Sequence, residues 1–487
     1  MKSNYCEVKR TKIVATISDW KSDPEYIQSL FDNGMNVVRM NTAHINREGA
    51  TKIMNNVRKV SDKIALLIDT KGPEVRIANL KEEFAVTFGD KLKVTGDLSK
   101  SDCLCVNYPG FVAEIPVGQK LLIDDGEIEL EVKAKDKDFL YTEVTNDGII
   151  KDRKSINTPG VSIKLPSLTD KDKDFVLFAI ENNIEFIAHS FVRNKEDLMD
   201  IQKILDAHES PIRIIAKIEN QEGVDNIDEI LNHAYGVMIA RGDLGIEIPA
   251  ERIPVVSRML IKKCIERKRP VIMATQMLHT MIENPRPTRA EVSDIANAVY
   301  NRCDAIMLSG ETAYGKYGAA AVKLMRNVAV EVEVNKDRRN DIIPPINFDP
   351  SNFLAQTAIK ASQDMNTTAI VTDTFSGHNA RHMAAYRSEV PVFAKCYLPR
   401  VMRELALSYG IYATLIKPKS NRDKTIKACL KSLVAEECIG IDDKIVFVGS
   451  SYGIRGAASF LEIIKVKDGI KPKMPEDLIN LIGPKDK

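Results

Sequence analysis

Eight short apolar runs organise the first two thirds of the chain, at 11–18, 35–44, 64–72, 184–192, 212–220, 236–244, 270–278 and 304–312, and most of them close on a polar or charged residue. Most of the stretches between them have helical spacing; the exception is one long insertion after the third run. Continuous apolar runs suit parallel strands buried on both faces, so eight strand–helix units predict a (β/α)8 barrel. Barrels of this kind place their chemistry at the C-terminal ends of the strands. Those ends carry Arg39, Asn41, Asp69, Ser190, Lys217, Glu219, Arg241, Asp243, Thr275, Ser309 and Glu311, a ring of cations, carboxylates and hydroxyls expected to converge on one mouth.

From 78 to about 163 the pattern shortens and alternates, with runs at 84–88, 91–94, 120–123, 127–132 and 139–144. Turn residues separate them: Gly89-Asp90, Asp124-Asp125-Gly126 and Asn146-Asp147-Gly148. This predicts a small antiparallel β-domain between the third strand and its helix, placed over the mouth as a lid. A charged, proline-containing stretch at 336–350 reads as a linker. Beyond it, apolar segments at 369–372, 390–394, 413–416, 444–448 and 461–466 alternate with helical stretches, a second α/β pattern. The expected division is a barrel from 1–76 and 164–340, a lid from 77–163, and a C-terminal α/β domain from 341–487.

Composition narrows the class. A chain of 487 residues is too long for a single core. Its 69 basic and 68 acidic residues nearly cancel, so no global field favours nucleic acid or an anionic membrane. No apolar stretch approaches the roughly 20 residues of a membrane span. The N-terminal Met-Lys-Ser-Asn-Tyr-Cys-Glu-Val-Lys-Arg lacks an apolar signal core, and the scattered cysteines suit free thiols in a reducing cytoplasm. Cys103 and Cys105 are the one close pair, without a second Cys or His pair at zinc spacing.

Lys217 and Glu219 lie two apart at the end of the fifth run, so both side chains can point into the mouth. Asp243 ends the sixth, beside unhindered Gly242. Two carboxylates from neighbouring strands suit a hard cation such as Mg²⁺, which completes its shell with substrate oxygens. A lysine beside that cation makes sense if both face a shared anion, and a phosphoryl group in transfer is one. A buried ion-pair network of Lys217, Glu219 and Asp243 is the alternative. Residues 310–316 spell most of a P-loop, but Tyr317 stands where a Mg²⁺-binding hydroxyl is needed. His378 and His382, four apart, read as a solvated face more readily than as a ligand pair.

Longer motifs then carry a resemblance. Lys217-Ile-Glu-Asn-Gln-Glu-Gly223, Ala240-Arg-Gly-Asp-Leu-Gly-Ile-Glu-Ile-Pro249, Met273-Ala-Thr-Gln-Met-Leu278, Pro285-Arg-Pro-Thr-Arg-Ala-Glu291 and Met307-Leu-Ser-Gly-Glu-Thr312 closely resemble pyruvate kinase. Asp69-Thr-Lys-Gly-Pro-Glu-Val-Arg76 and Ile123-Asp-Asp-Gly126 are similar to that family too. The resemblance implies conversion of phosphoenolpyruvate and ADP to pyruvate and ATP, an inserted lid, a C-terminal regulatory domain and a homotetramer. By motif it implies that Glu219 and Asp243 hold Mg²⁺ or Mn²⁺, and that Lys217 and Arg39 stabilise the transferring phosphoryl. Thr275 and the amides of Gly242 and Asp243 would hold the substrate carboxylate, with Ser190 lining the same site. Arg76, Lys154, Asn41 and His44 would face the nucleotide. Ser309 and Thr275 would join the network that protonates the enolate. Asn41, Asp69 and the Thr70 carbonyl would bind K⁺. Thr374, Ser376 and Gly377 resemble the family's effector loop for a sugar phosphate or nucleotide; a structural strand-to-helix turn is the alternative.

Two departures stand out. Asn41-Thr-Ala-His44 has Ala43 where the family's Asn-x-Ser-His motif supplies a serine oxygen to K⁺; Thr42 is expected to face the other way. Glu74 is the residue the family carries when it needs a monovalent cation, so K⁺ stimulation through a weakened site is expected. Ser18-Asp19 stands where the family has Gly-Pro. A metal-dependent lyase acting on pyruvate enolates and a non-catalytic effector-binding homologue are the competing readings.

Overall fold

The computed structural model describes residues 9–335, 344–345, 349–450 and 457–470. Most of the expected linker at 336–350, and both ends of the expected C-terminal domain, lie outside the described residues.

All eight apolar runs become strands of one closed parallel barrel: Lys12–Thr16, Val37–Asn41, Ala65–Asp69, Phe186–His189, Arg213–Ile218, Gly236–Ala240, Val271–Ala274 and Ala305–Leu308. The strands run continuously apolar because both faces are dry. Val14, Val37, Ala65, Leu67, Phe186, Ala188, Ile215, Met238, Ile272 and Met307 belong to one buried cluster. The alternate positions Ile13, Ala15, Val38, Met40, Leu66, Ile68, Ile187, Ala216 and Ile306 pack into another together with the surrounding helices. Carrying the period of two forward along the first set reaches Thr16, Arg39, Asp69, Ser190, Lys217 and Ser309. The face that fills the barrel with apolar side chains therefore turns polar where the strands end.

The helices start on signals written in the sequence. Asn46, Asn194 and Asn220 each cap a helix through the side-chain oxygen. Thr169 with Asp172 and Thr288 with Glu291 form capping boxes that start Asp170–Glu181 and Arg289–Tyr300.

The insertion after the third strand is a seven-stranded sheet plus a two-stranded pair around its own apolar core. It is not purely antiparallel, as the alternation suggested: Lys91–Thr95 and Leu104–Val106 pair in parallel. Leu104–Val106, Ile77–Ala78, Gly148–Ile150 and Ile156–Asn157 are too short to show an alternating pattern in the sequence. The two ends of the insertion meet, Arg76 bridging Ser155 and Ile77 N–H donating to the Lys154 carbonyl at 2.9 Å, so entry and exit form one hinge.

The C-terminal sheet has the order Ile411–Leu415, Val392–Cys396, Ala369–Thr374, Lys444–Gly449, Phe460–Lys465, with the last strand antiparallel to its neighbour. It docks on the end of the barrel where the strands begin. Arg387 pairs with Asp304 at 2.8 Å, Arg213 with Glu404 at 3.2 Å, Arg403 with Glu185, and the Lys12 ammonium donates to the Ile411 carbonyl at 2.6 Å. The mouth is left to the lid. Among the described residues no helix is long and apolar enough to cross a membrane.

Candidate active site

The mouth is built on Lys217. Its ammonium lies 2.9 Å from Glu219 Oε1 and 3.1 Å from Asp69 Oδ1, and donates to Ser190 Oγ at 2.7 Å. Asp69 also accepts from Arg39 Nε at 2.6 Å, and Arg39 Nη1 donates to Thr16 Oγ1 at 2.9 Å. Ser190 Oγ donates to the Thr70 carbonyl at 2.6 Å, while Thr70 Oγ1 accepts Ser190 N–H at 3.0 Å. Every member of this chain is buried. Burial works against the Lys217 ammonium, but Asp69, Glu219 and Asp243 together outweigh it and hold the lysine charged. Burial likewise opposes ionisation of Asp69, and the paired Arg39 and Lys217 reverse it, keeping that carboxyl below its ordinary range.

The other two carboxyls are shifted the opposite way. Burial, with Asp243 close by, pushes Glu219 up to about 7 against the pull of Lys217. Asp243 is raised by burial and by Asp125 of the lid. Glu219 Oε2 also accepts Phe191 N–H at 2.6 Å. Two carboxyls, Glu219 buried and Asp243 partly so, that ionise reluctantly side by side are what a divalent cation would relieve, so this oxygen donor set fits Mg²⁺ or Mn²⁺. Glu219 and Asp243 line a cleft of about 420 Å³ between the barrel and the lid, walled by Pro73–Val75 and 155–158 on the lid side.

The sixth and seventh strand ends differ from the sequence expectation. The strand stops at Ala240, and Arg241–Glu247 is a helix, so Gly242 and Asp243 occupy its first turn. Gly242 N–H donates to Thr275 Oγ1 at 2.7 Å. Thr275 and Gln276 hold left-handed backbone, with φ of 67° and 53°, which costs energy for non-glycine residues. Arg241 ties that loop down, donating to the Thr275 carbonyl at 2.8 Å and pairing with Asp294 at 2.6 Å. Arg241 thus leaves the ring of mouth charges expected from the sequence. Glu311 leaves it as well: its carboxylate accepts Ser309 N–H at 2.8 Å and Leu278 N–H at 3.1 Å, stapling the last two loops.

The structure brings Arg39, Asp69, Thr70, Ser190, Lys217 and Glu219 into one hydrogen-bonded unit, with the Asp243 carboxyl close enough to raise Glu219. Thr275 and Gly242 form a second contact pair beside it. Asn41 sits next to Asp69 in register, but its Oδ1 turns back to accept Ala43 N–H at 3.1 Å. Thr42 is fully buried, its hydroxyl donating to the Asp69 carbonyl at 2.9 Å. His44 is exposed. Arg76 pairs with Glu74 at 2.7 Å at the hinge, and Lys154 with Asp124 at 2.7 Å within the lid. Thr374, Ser376 and Gly377 form a tight turn in the C-terminal sheet, Thr374 Oγ1 accepting Gly377 N–H at 2.9 Å while Gly377 takes φ 77°. Sequence reasoning missed Thr16, although the inward period of the first strand points to it. It also missed the Phe191 amide, whose positive φ of 55° no motif announces.

Comparison with known proteins places these features. The pyruvate kinase barrel domain matches residues 8–322, and the pyruvate kinase alpha/beta domain matches 352–464. The pyruvate kinase of Borreliella burgdorferi is 50% identical over 95% of this chain and 98% of its own length. That of Geobacillus stearothermophilus is 39% identical over 94% of this chain and 81% of its own. A crystal structure of a pyruvate kinase from Cryptosporidium parvum superposes with a TM-score of 0.90 at 33% identity, covering 95% of this chain and 97% of that one. Two matched domains in order, joined to a mouth built from the motif residues themselves, make this chain a member of the pyruvate kinase family.

Proposed function

We propose that this protein transfers the phosphoryl group of phosphoenolpyruvate to ADP, giving pyruvate and ATP. The observation that carries the reading is Lys217, a buried ammonium held by Asp69, Glu219 and Ser190 at the mouth of the barrel. A fixed, buried cation at the barrel mouth stabilises charge on a group in flight without reorganising at the moment of reaction. Arg39, fixed by Asp69 and Thr16, adds a second positive charge, a guanidinium, on the same side. Glu219 and Asp243 would hold the divalent ion, Mg²⁺ or Mn²⁺. When bound, that ion neutralises phosphoryl and enolate oxygens.

Thr275 and the amides of Gly242 and Asp243 receive the substrate carboxylate, which takes over the Gly242 N–H now given to Thr275. Ser190 orients Lys217 and lines the substrate site. Thr275 and Ser309 lie at the ends of neighbouring strands, where a proton reaches the enolate; ketonisation then makes the transfer strongly downhill. Arg76 and Lys154 stand on the hinge and lid, with Asn41 at the end of the second strand and His44 on the loop after it, and together they face the nucleotide. Asn41, once its Oδ1 turns from the Ala43 N–H, would hold K⁺ with Asp69 and the Thr70 carbonyl, without the oxygen that a serine at position 43 would add. The turn at Thr374, Ser376 and Gly377 takes a sugar-phosphate or nucleotide effector. A cytoplasmic homotetramer completes the reading.

The test is pyruvate formation from phosphoenolpyruvate with Mg²⁺, with and without ADP and K⁺, for wild type and Lys217→Met. ADP-dependent, K⁺-stimulated turnover that falls by roughly 10²–10³ or more in the variant is expected. Turnover without ADP would favour the enolate lyase, and none under any salt a non-catalytic homologue.

A further inference from the structure

The C-terminal region holds a cluster that the phosphoryl-transfer site does not use. His378 and His382 lie four apart on the helix His378–Ala385, so their rings share one face. Their centroids are 4.0 Å apart. Across from them is Asp349, which caps the helix Pro350–Asp364. Its Oδ1 accepts Ser351 N–H at 3.0 Å, and its Oδ2 accepts the Asn352 side-chain amide at 3.2 Å. These bonds fix the carboxylate and leave Oδ2 4.0 Å from His378 Nε2. One ligand atom from each of the three residues lies within 4.8 Å of the others. His382 Nδ1 is buried and has no hydrogen-bond partner among the described residues.

We propose that Asp349, His378 and His382 form a binding site for one transition-metal dication of the Zn²⁺ class. Two imidazoles and one carboxylate are an open three-ligand set that water completes to a tetrahedron. A tetrahedral site with bonds near 2.0–2.1 Å puts its ligand atoms about 3.3 Å apart, so the side chains close by roughly 1 Å or more, within reach of the half-exposed His378 ring. Imidazole nitrogen discriminates against Mg²⁺, which separates this site from the all-oxygen pair at the mouth.

The protonation state agrees with the geometry. Burial, with Arg381 near, lowers His378, and burial with His378 and Lys268 beside it takes His382 down to about 3. Both rings are therefore neutral at pH 7, the form that ligates metals. The facing cations are partly engaged elsewhere. Lys268 donates to the Pro345 carbonyl at 3.2 Å. Arg381 donates to the Ser376 carbonyl at 3.0 Å and lies over the Tyr235 ring. Their charge still opposes a dication, so micromolar rather than nanomolar affinity is expected. A bound ion would clamp the helix that enters the C-terminal sheet to the helix that follows the Thr374–Gly377 turn.

The experiment uses the full-length protein, stripped with chelator and kept in excess Mg²⁺, titrated with Co²⁺ as a spectroscopic probe and then with Zn²⁺. The expected result is one Co²⁺ per chain with the visible absorption of a tetrahedral nitrogen–oxygen site, displaced by Zn²⁺, and a Zn²⁺-dependent rise in thermal midpoint. His382→Ala and Asp349→Asn should weaken binding by about tenfold or more. His378→Gln, at a half-exposed position that leaves the packing intact, should do the same, with circular dichroism confirming the fold. Absence of saturable Co²⁺ binding in wild type would overturn the proposal. So would binding that survives all three variants, or absorption showing thiolate ligation, which would place the ion on cysteines.

Discussion

The substrate side of the mouth and the lid side differ in how their charges are held. Arg39, Asp69, Lys217 and Glu219 are buried at the ends of short parallel strands, and each side chain has at least one partner that is itself paired. Arg76 and Lys154 stand on the hinge and the lid in pairs that water reaches, and His44 stands on an exposed loop. The first group is preorganised before substrate arrives. The second stays in contact with water, beside a hinge whose two strands are bonded to one another. Charge that must stabilise a transition state is worth most where it cannot relax. Charge that must bind and release a nucleotide is better left mobile.

That contrast breaks most sharply at Asp69. Asp69→Asn removes the one carboxylate shared by Arg39 and Lys217, leaving two buried cations short of a counter-charge. Loss of about 3–5 kcal/mol in unfolding free energy is expected, read from the urea midpoint, together with loss of turnover. A change under 1 kcal/mol would show that the network is not dry.

His189 tests how dry the layer behind the mouth is. Its ring is fully buried, neither nitrogen has a partner among the described residues, and burial takes its pKa down to about 4. The unfolded chain protonates this histidine below about 6.5 while the fold does not. Its contribution to stability is therefore intact above 6.5, is lost as pH falls toward 4, and amounts to roughly 3 kcal/mol across that window. Urea midpoints of wild type and His189→Ala should accordingly converge between pH 7 and pH 4.5. Parallel slopes in the two proteins would mean that the ring takes up its proton as readily in the fold as in the unfolded chain.

Ser190→Ala separates positioning from charge. Lys217 keeps Asp69 and Glu219, but loses the hydroxyl that sets its direction, and the Thr70 carbonyl loses its buried donor. A fall of about tenfold in kcat with little change in KM for ADP is expected, with about 1–3 kcal/mol of stability lost. Rescue by Ser190→Thr would support orientation as the cause.

The smallest effect belongs to the lid. Lys154→Gln breaks a pair with Asp124 in which the lysine side chain is 37% exposed, so stability should move by no more than about 0.5 kcal/mol. KM for ADP should rise severalfold with kcat nearly kept. A kcat loss as large as that of Ser190→Ala would place Lys154 in the preorganised group and erase the distinction between the two sides.

By itself, the sequence determined the architecture and the inward-facing chemistry. Eight doubly buried runs admit few alternatives to a closed parallel barrel, and a period of two carries the eye from apolar filling to Arg39, Asp69, Ser190 and Lys217 without any coordinates. The C-terminal strand candidates were legible for the same reason: they depend on neighbours close in the chain. Tertiary structure alone decided what depends on partners distant in sequence. It ended the sixth strand at Ala240, turned the end of the eighth run into a short helix, and took Arg241 and Glu311 out of the mouth to staple loops. It set the parallel pair inside the lid, turned Asn41 back on its own loop and aimed the Phe191 amide at Glu219. It also brought Asp349, separated by the whole first strand of the C-terminal sheet, up to His378 and His382. A local period says which way a side chain points. What that side chain meets is fixed by packing between segments far apart in the chain, and only the folded molecule states it.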